Sequence, residues 1–400
     1  MVDRVPSKAD FWRPPLWKWV LVLSLLIAAF FLFKLPFRIH TVDAPPAKIV
    51  LLPFSTAIPA WDGSSPYLVL TPEVQSNSKA RFKFAIRFDK LTLWHDAPVN
   101  EFEVDLHSGR FVLRQTDVFI SDVMPVSLTR TYRVWDGNSR AFGAGANHPY
   151  DICPTGTRFP YTYMDLNLED GRQVHFPRIS VGTGYADAVF RHGSTNSEFY
   201  DARISWNGDG WTLNLVDGHT LIFPEAYHAR SFAQGAPLEM RDGRGNRTQL
   251  KRDRVRNLET LMSPSGHTVT FRYDSDNRII EAGDDSGNIR KYSYDPSGHL
   301  ETVSDGRLTL YRFGYEDLLR ASGYDPYLMT TIWDGNGKVL LQNVYGDHAR
   351  VTEQRTADGQ VYRYDYLFGK KHDVVETTVT LPTGETKRYF FQNGIPSSQK

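Results

Sequence analysis

The chain has 400 residues, with 46 basic and 46 acidic side chains, 13% aromatics, 30 Gly and 23 Pro. That length allows a large core and one to three domains, while balanced charge argues against nucleic acid as a partner, since phosphate binding needs a basic footprint. Mean hydropathy is -0.41, so the bulk faces water, and the lone Cys153 excludes an internal disulfide and reads as a buried small hydrophobe.

Residues 1–15 form a polar tail, read as cytoplasmic. Trp19 to Phe33 then runs without a charge between Lys18 and Lys34. Snorkelling lysines extend the usable span to residues 16–37, about 33 Å of helix, enough for a hydrocarbon core of about 30 Å. Trp12, Trp17 and Trp19 suit the interfacial belt at one boundary. The stretch predicts an uncleaved transmembrane anchor with the lipid bilayer as its partner. Val42-Asp43-Ala44 is a passable cleavage site, but it lies well past the apolar run, beyond Lys34 and Arg38. Arg4, Lys8, Arg13 and Lys18 before the run, against Lys34, Arg38 and Lys48 after it, place the N-terminus inside. The expected location is the inner membrane, single-pass, with the body periplasmic or extracellular.

Residues 38–75 are a Pro-rich stretch, read either as a semi-rigid spacer or as irregular structure along the body. A β-rich region over 76–235 follows. Phe82, Phe84, Ile86 and Phe88 alternate with Arg81, Lys83 and Arg87, which predicts a strand with one buried and one basic, solvated face. Phe102, Val104 and Leu106 mark the next strand. Short strands continue to Pro224 between turns at Asp136-Gly137-Asn138, Asn207-Gly208-Asp209-Gly210 and Asp217-Gly218, and Trp211, Leu213 and Leu215 alternate cleanly. No long amphipathic helix follows the anchor. His228 to Ala236 is an irregular connector.

From 236 to 392 the chain repeats, with a polar tail over 393–400. Phe271-Arg272-Tyr273-Asp274, Tyr292-Ser293-Tyr294-Asp295 and Phe313-Gly314-Tyr315-Glu316 place a tyrosine every 21 residues; Tyr345 lies 30 further on and Tyr366 another 21 beyond. A fixed period in the low twenties means one supersecondary unit used many times. Aromatics two apart share a strand face. An aliphatic six residues after the tyrosine (Ile279, Leu300, Val351) falls on a returning strand. Asp285-Ser286-Gly287-Asn288 and Asp334-Gly335-Asn336-Gly337 supply the positive φ of tight hairpins. Each period is therefore one hairpin, joined edge to edge in an antiparallel sheet. Gly323 to Met329 is read as the surface insertion that stretches one spacing.

These residues carry a resemblance. Asp284 to Asn288 through Tyr294-Asp295-Pro296-Ser297-Gly298-His299-Leu300 resembles the YD repeat of RHS proteins. Leu128-Thr129-Arg130-Thr131-Tyr132, Phe142-Gly143-Ala144-Gly145, Tyr150-Asp151, Asp170-Gly171-Arg172 and Phe176-Pro177 resemble the domain before such repeats in polymorphic-toxin RHS proteins, with Ala146 where that pattern has tryptophan. The resemblance covers about residues 105–390. It implies a curled ribbon or single-turn shell. Some 20 to 24 strands at about 4.8 Å span roughly 100 Å, a ring of about 30–35 Å and too small a capsule for a folded cargo. Asp295-Pro296-Ser297-Gly298 also resembles the Asp-Pro-x-Gly at which RHS cores cut themselves, but it stands at an ordinary repeat turn with further repeats after it.

Catalytic signatures are missing: no phosphate-binding glycine loop, no His-Glu-x-x-His, no paired cysteines. His267 and His299 are read as occupying the same turn position in successive repeats, and therefore as structural. The expectation is an all-β YD-repeat scaffold on a membrane anchor, non-catalytic, needing no cofactor or metal and having no assignable catalytic or binding residues. Its partners would be an envelope carbohydrate or protein. The alternatives are a truncated or split RHS toxin-delivery shell and a glycan-acting envelope enzyme.

Overall fold

A computed structural model describes residues 67–73, 81–87, 97–133, 139–194, 197–317, 327–392 and 394–397. The expected anchor over 16–37, the spacer up to residue 66 and the Asp136 turn lie outside these residues. Among the described residues no helix is long and apolar enough to cross a membrane. Residues 57–400 form one compact unit.

The unit is all-β. A six-stranded antiparallel sheet takes β1 (Tyr67–Glu73), β2 (Arg81–Arg87), β3 (Asn100–Asp105), β4 (Arg110–Ile120), β5 (Val126–Arg133) and β8 (Ala146–Asn147) in the order β2-β1-β3-β4-β5-β8. A three-stranded sheet orders β11 (Gln173–Pro177), β10 (Tyr163–Asn167) and β9 (Cys153–Gly156), and β6 (Ser139–Arg140) pairs with β7 (Gly143–Ala144). Everything from β12 (Val189–Arg191) to β30 (Ile395–Ser397) is one 19-stranded meander in sequence order. The domain boundary expected at 235/236 falls inside this sheet.

The 21-residue period has a physical cause. Tyr273 pairs with Ile279, Tyr294 with Leu300 and Tyr345 with Val351, each beside a register shift. The extra residue is on the returning strand, so its buried positions fall three apart, as with Ile279 and Ala282 or Leu300 and Val303. The tyrosine hydroxyl then donates back to the carbonyl of the previous repeat's aliphatic: Tyr294 to Ile279 at 2.5 Å, Tyr315 to Leu300 at 2.9 Å, Tyr366 to Val351 at 2.7 Å. Six residues forward across the turn and fifteen back through the hydroxyl make 21. The stretched spacing keeps the link, because Tyr345 donates to Met329, the residue opposite Tyr315, at 2.7 Å. Tyr294→Phe is expected to cost about 1–3 kcal/mol, since it orphans a buried carbonyl. Chemical denaturation would check this, and a change under about 0.5 kcal/mol would mean that the hydroxyl link is idle.

The turns follow the same logic. The aspartate after the repeat tyrosine caps its own loop: Asp295 accepts the Ser297 and His299 amides, both at 2.9 Å, while Gly298 sits at φ +89. Asp274 does the same for Asp276 and Arg278, with Asn277 in the left-handed position. Asp295-Pro296-Ser297-Gly298 is thus a turn, as expected. The Gly298 carbonyl accepts the Ala144 amide at 3.0 Å, tying that turn to the preceding region.

The six-stranded sheet lies inside the curl of the repeats. β5 is buried at every position and β4 at seven of its eleven, including the unbroken run Phe111 to Gln115. Its partners span most of the meander: Asp122 accepts from Ser265, Asn100 donates to Tyr311, Tyr132 packs on Tyr315, and Thr377 donates to the Leu106 carbonyl. The ten strands from β19 (Thr268–Tyr273) to β28 (Val374–Thr380) would cover about 48 Å if flat, against about 29 Å for six strands. The sheet must curl to touch them all. Its first strand, β12, meets the segment after β11 through the Arg178–Phe190 bridge and an Ile179 amide bond to the Val189 carbonyl at 2.9 Å, while β30 ends the sheet among the described residues.

Two local expectations need correction. Phe82 is buried as expected, but Phe84 is 43% exposed and meets Tyr362 edge-on instead of entering the core. Tyr327 to Met329, expected within the insertion, already belongs to a strand, Tyr327–Asp334, with Leu328 and Met329 buried. The His228 to Ala236 connector contains one short helix, α1 (Phe232–Gly235).

Candidate functional site: a cleft where three sheet edges meet

A cleft of about 700 Å³ lies between the pre-repeat strands, the connector and the first repeat turns. On one side stand β6, Asn147 of β8 and all four residues of β9. Each belongs to a strand at the end of its sheet. The connector faces them with Tyr227, Arg230 and Phe232, and the repeat turns add Asn257, Tyr273 and Asn277.

Arg252 holds this junction. Its guanidinium donates to Asp151 at 2.9 Å, to the Pro237 carbonyl at 3.1 Å, to the Arg256 carbonyl at 3.0 Å and to the Tyr150 carbonyl. Burial pushes the Asp151 carboxyl up, but His148 and Arg252 more than offset this and hold it below the usual range. The connector approaches β9 closely: a Cβ on Gly235 would sit 2.4 Å from the Cys153 sulfur, so only glycine fits there. Cys153 is 2% exposed, as the sequence implied, and burial, reinforced by Asp151, pushes its thiol up to about 12. The thiol therefore keeps its proton near neutrality.

Two polar groups in this region lack partners. Asn147 is 2% exposed and its Oδ1 accepts no hydrogen bond. His148 is fully buried between Phe142, Tyr150 and Phe271, with neither ring nitrogen hydrogen-bonded and Asp151 3.8 Å from Nε2. Burial lowers the His148 pKa from 6.5, and Asp151 only partly opposes it. The sign of the pH effect follows: below about 6.5 the unfolded chain takes a proton that the folded chain refuses, so stability falls as pH falls. The slope approaches about 1.4 kcal/mol per pH unit until the depressed folded value is reached. Between pH 6.5 and 5 the denaturation midpoint of wild type should drop more steeply than that of His148→Leu. Parallel slopes would exclude His148 as the cause.

The two histidines singled out from sequence both follow a left-handed glycine, but their hairpins turn at opposite margins of the meander. His267 is exposed and meets Asp285 at 2.9 Å; His299 is buried, 3.1 Å from Asp295, and stacks on Tyr315. The cleft joins neither. Among the described residues no cluster of three metal-ligating side chains occurs. The sequence reading missed the cleft, because three short edges converge only after the sheets pack. The doublets Ser139–Arg140 and Ala146–Asn147 carry too little periodicity to announce themselves as strands.

Residues 102–176 match a family model described as a domain of unknown function, DUF6531. No match was found among curated proteins. Among solved structures, the chain is similar to TcdB2-TccC3 without its hypervariable C-terminal region, at 12% identity and a TM-score of 0.30, over 72% of this chain and 16% of that one. It is also similar to TcdB2-TccC3 itself, at 12% identity and a TM-score of 0.29, over 72% and 15%. A Photorhabdus luminescens Tc holotoxin pore aligns at 11% identity and a TM-score of 0.22, over 82% and 20%. The chain thus spans a fifth or less of those proteins.

Proposed function

We propose that this chain is a non-catalytic YD-repeat scaffold of the RHS type, anchored in the inner membrane through residues 16–37, with its body outside the cytoplasm to bind a partner. The observation that carries the reading is the filled interior. Arg130, Tyr132 and Phe142 of the preceding region occupy the inner side of the curl against Phe313, Tyr315 and Tyr292. A body filled by its own chain offers its outer face, its turns and its edges to partners, which are an envelope protein or carbohydrate. Edges readily add strands. A toxin-delivery shell needs an interior vacant for cargo, and that requirement favours the scaffold over it.

The test is membrane fractionation combined with protease treatment of intact cells and spheroplasts. The body should sediment with membranes and be cut only from outside the inner membrane. A soluble body, or one protected until that membrane is broken, would overturn the anchored reading and bring the shell forward.

A further inference from the structure

We propose that the cleft beside β9 is a docking site for an extended acidic peptide segment of a partner protein, which adds as a strand to the β9 edge; this deepens the scaffold reading and rests on it. β9 is the outer strand of its three-stranded sheet, paired on one side by β10. All four of its residues, Cys153 to Gly156, line the cleft, and with Pro154 lacking an N–H the edge offers the Gly156 amide and the strand's carbonyls to an incoming segment. Four residues of strand run about 13 Å, so a short extended segment can lie along them. An unpaired strand edge is a template for one more strand, with main-chain hydrogen bonds giving affinity and side-chain pockets giving choice.

The second observation is Asn147, which lines the same cleft and whose side-chain oxygen Oδ1 is almost fully buried and accepts nothing. A buried acceptor in that state is costly, and the N–H of an incoming peptide would satisfy it. The charge of the lining gives the sign of the ligand. Arg140, Arg158 and Arg230 face the cleft, against Asp151 and Asp276. Both carboxylates are already held by arginines, at 2.9 Å by Arg252 and at 3.1 Å by Arg278, while Arg158 is paired with Glu225 at 2.8 Å, so the excess positive charge of the lining centres on Arg230. Arg158 lies over the rings of Tyr161 and Tyr227, and Arg140 over Phe232, so both guanidinium planes are held against aromatic faces of the cleft while Arg230 stays exposed at its wall. Tyr227 lines the cleft, packs edge to face with the neighbouring Phe159 and stays half exposed, offering an apolar surface for the side chains between acids.

The test uses the full-length protein in detergent and two pools of fluorescent hexapeptides, one alternating Glu with a randomised residue and the other alternating Gln. The Glu pool should bind saturably and at least tenfold more tightly than the Gln pool. Arg230→Glu, a change at an exposed position, should weaken the Glu pool at least tenfold while leaving the denaturation midpoint unchanged. Absence of saturable binding, equal affinity for both pools, or unchanged affinity in Arg230→Glu would overturn the site. So would equal displacement by an acidic oligosaccharide, which cannot pair with a strand edge. None of these outcomes depends on where the body resides, so fractionation can fail or succeed separately.

Discussion

Asp117→Ala is expected to destabilise the protein by about 3–5 kcal/mol, because it leaves a buried guanidinium without its counter-charge. Arg130 is 1% exposed and donates to Asp117 at 3.0 and 3.3 Å and to Gln115 at 2.7 Å. Burial opposes the Arg130 charge, and Asp117 more than compensates, so its pKa ends up raised. Asp117 also accepts the Tyr292 hydroxyl at 3.1 Å, so one carboxylate joins the inner sheet to the repeats. The double variant Asp117→Leu with Arg130→Met removes both charges and should lose clearly less than the single change. Urea denaturation of the three proteins decides the matter. Equal losses in single and double variants would mean that the effect is packing and not charge.

Phe142→Ala should cost about 3–5 kcal/mol, the usual range for truncating a fully buried aromatic. Its ring is 0% exposed, 5.0 Å from Tyr292 and 6.0 Å from His148, with the Arg130 guanidinium 6.0 Å above it. The loss would fall on the seam between inner sheet and repeats, so unfolding of both should shift together. Phe84→Ala, at an exposed edge contact with Tyr362, serves as the counterpart and should change stability by less than about 1 kcal/mol. Comparable losses at both positions would contradict the burial that separates them.

The repeat was legible in the sequence because it is local. The tyrosine, its capping aspartate, the left-handed glycine or asparagine and the aliphatic six residues on lie within one hairpin, and Tyr273 to Ile279 shows all of them. The hydroxyl that closes the 21-residue link was not legible, since it acts between hairpins and needs a register shift that no residue type encodes. Packing of the inner sheet was hidden for a related reason. Asp117 and Tyr292 lie 175 residues apart, and their meeting depends on curvature accumulated over many strands. Ordinary alternation also misled at Phe84, where an edge strand leaves one of its apolar residues at the surface. The cleft lies further still from sequence, being made of three strand ends whose only shared property is that nothing pairs beyond them.

The central claim is that the repeats fold around their own preceding sheet as one body. Native-state hydrogen exchange on the full-length protein tests it most directly, by comparing amides of β4 and β5 with those of the repeat strands Thr268–Tyr273 and Ile289–Tyr294. One body predicts that both sets exchange at the same opening free energy and that Asp117→Ala lowers both equally. Slow repeat strands beside freely exchanging β4 and β5 would mean an empty repeat shell with a loosely held insert, and would contradict the account.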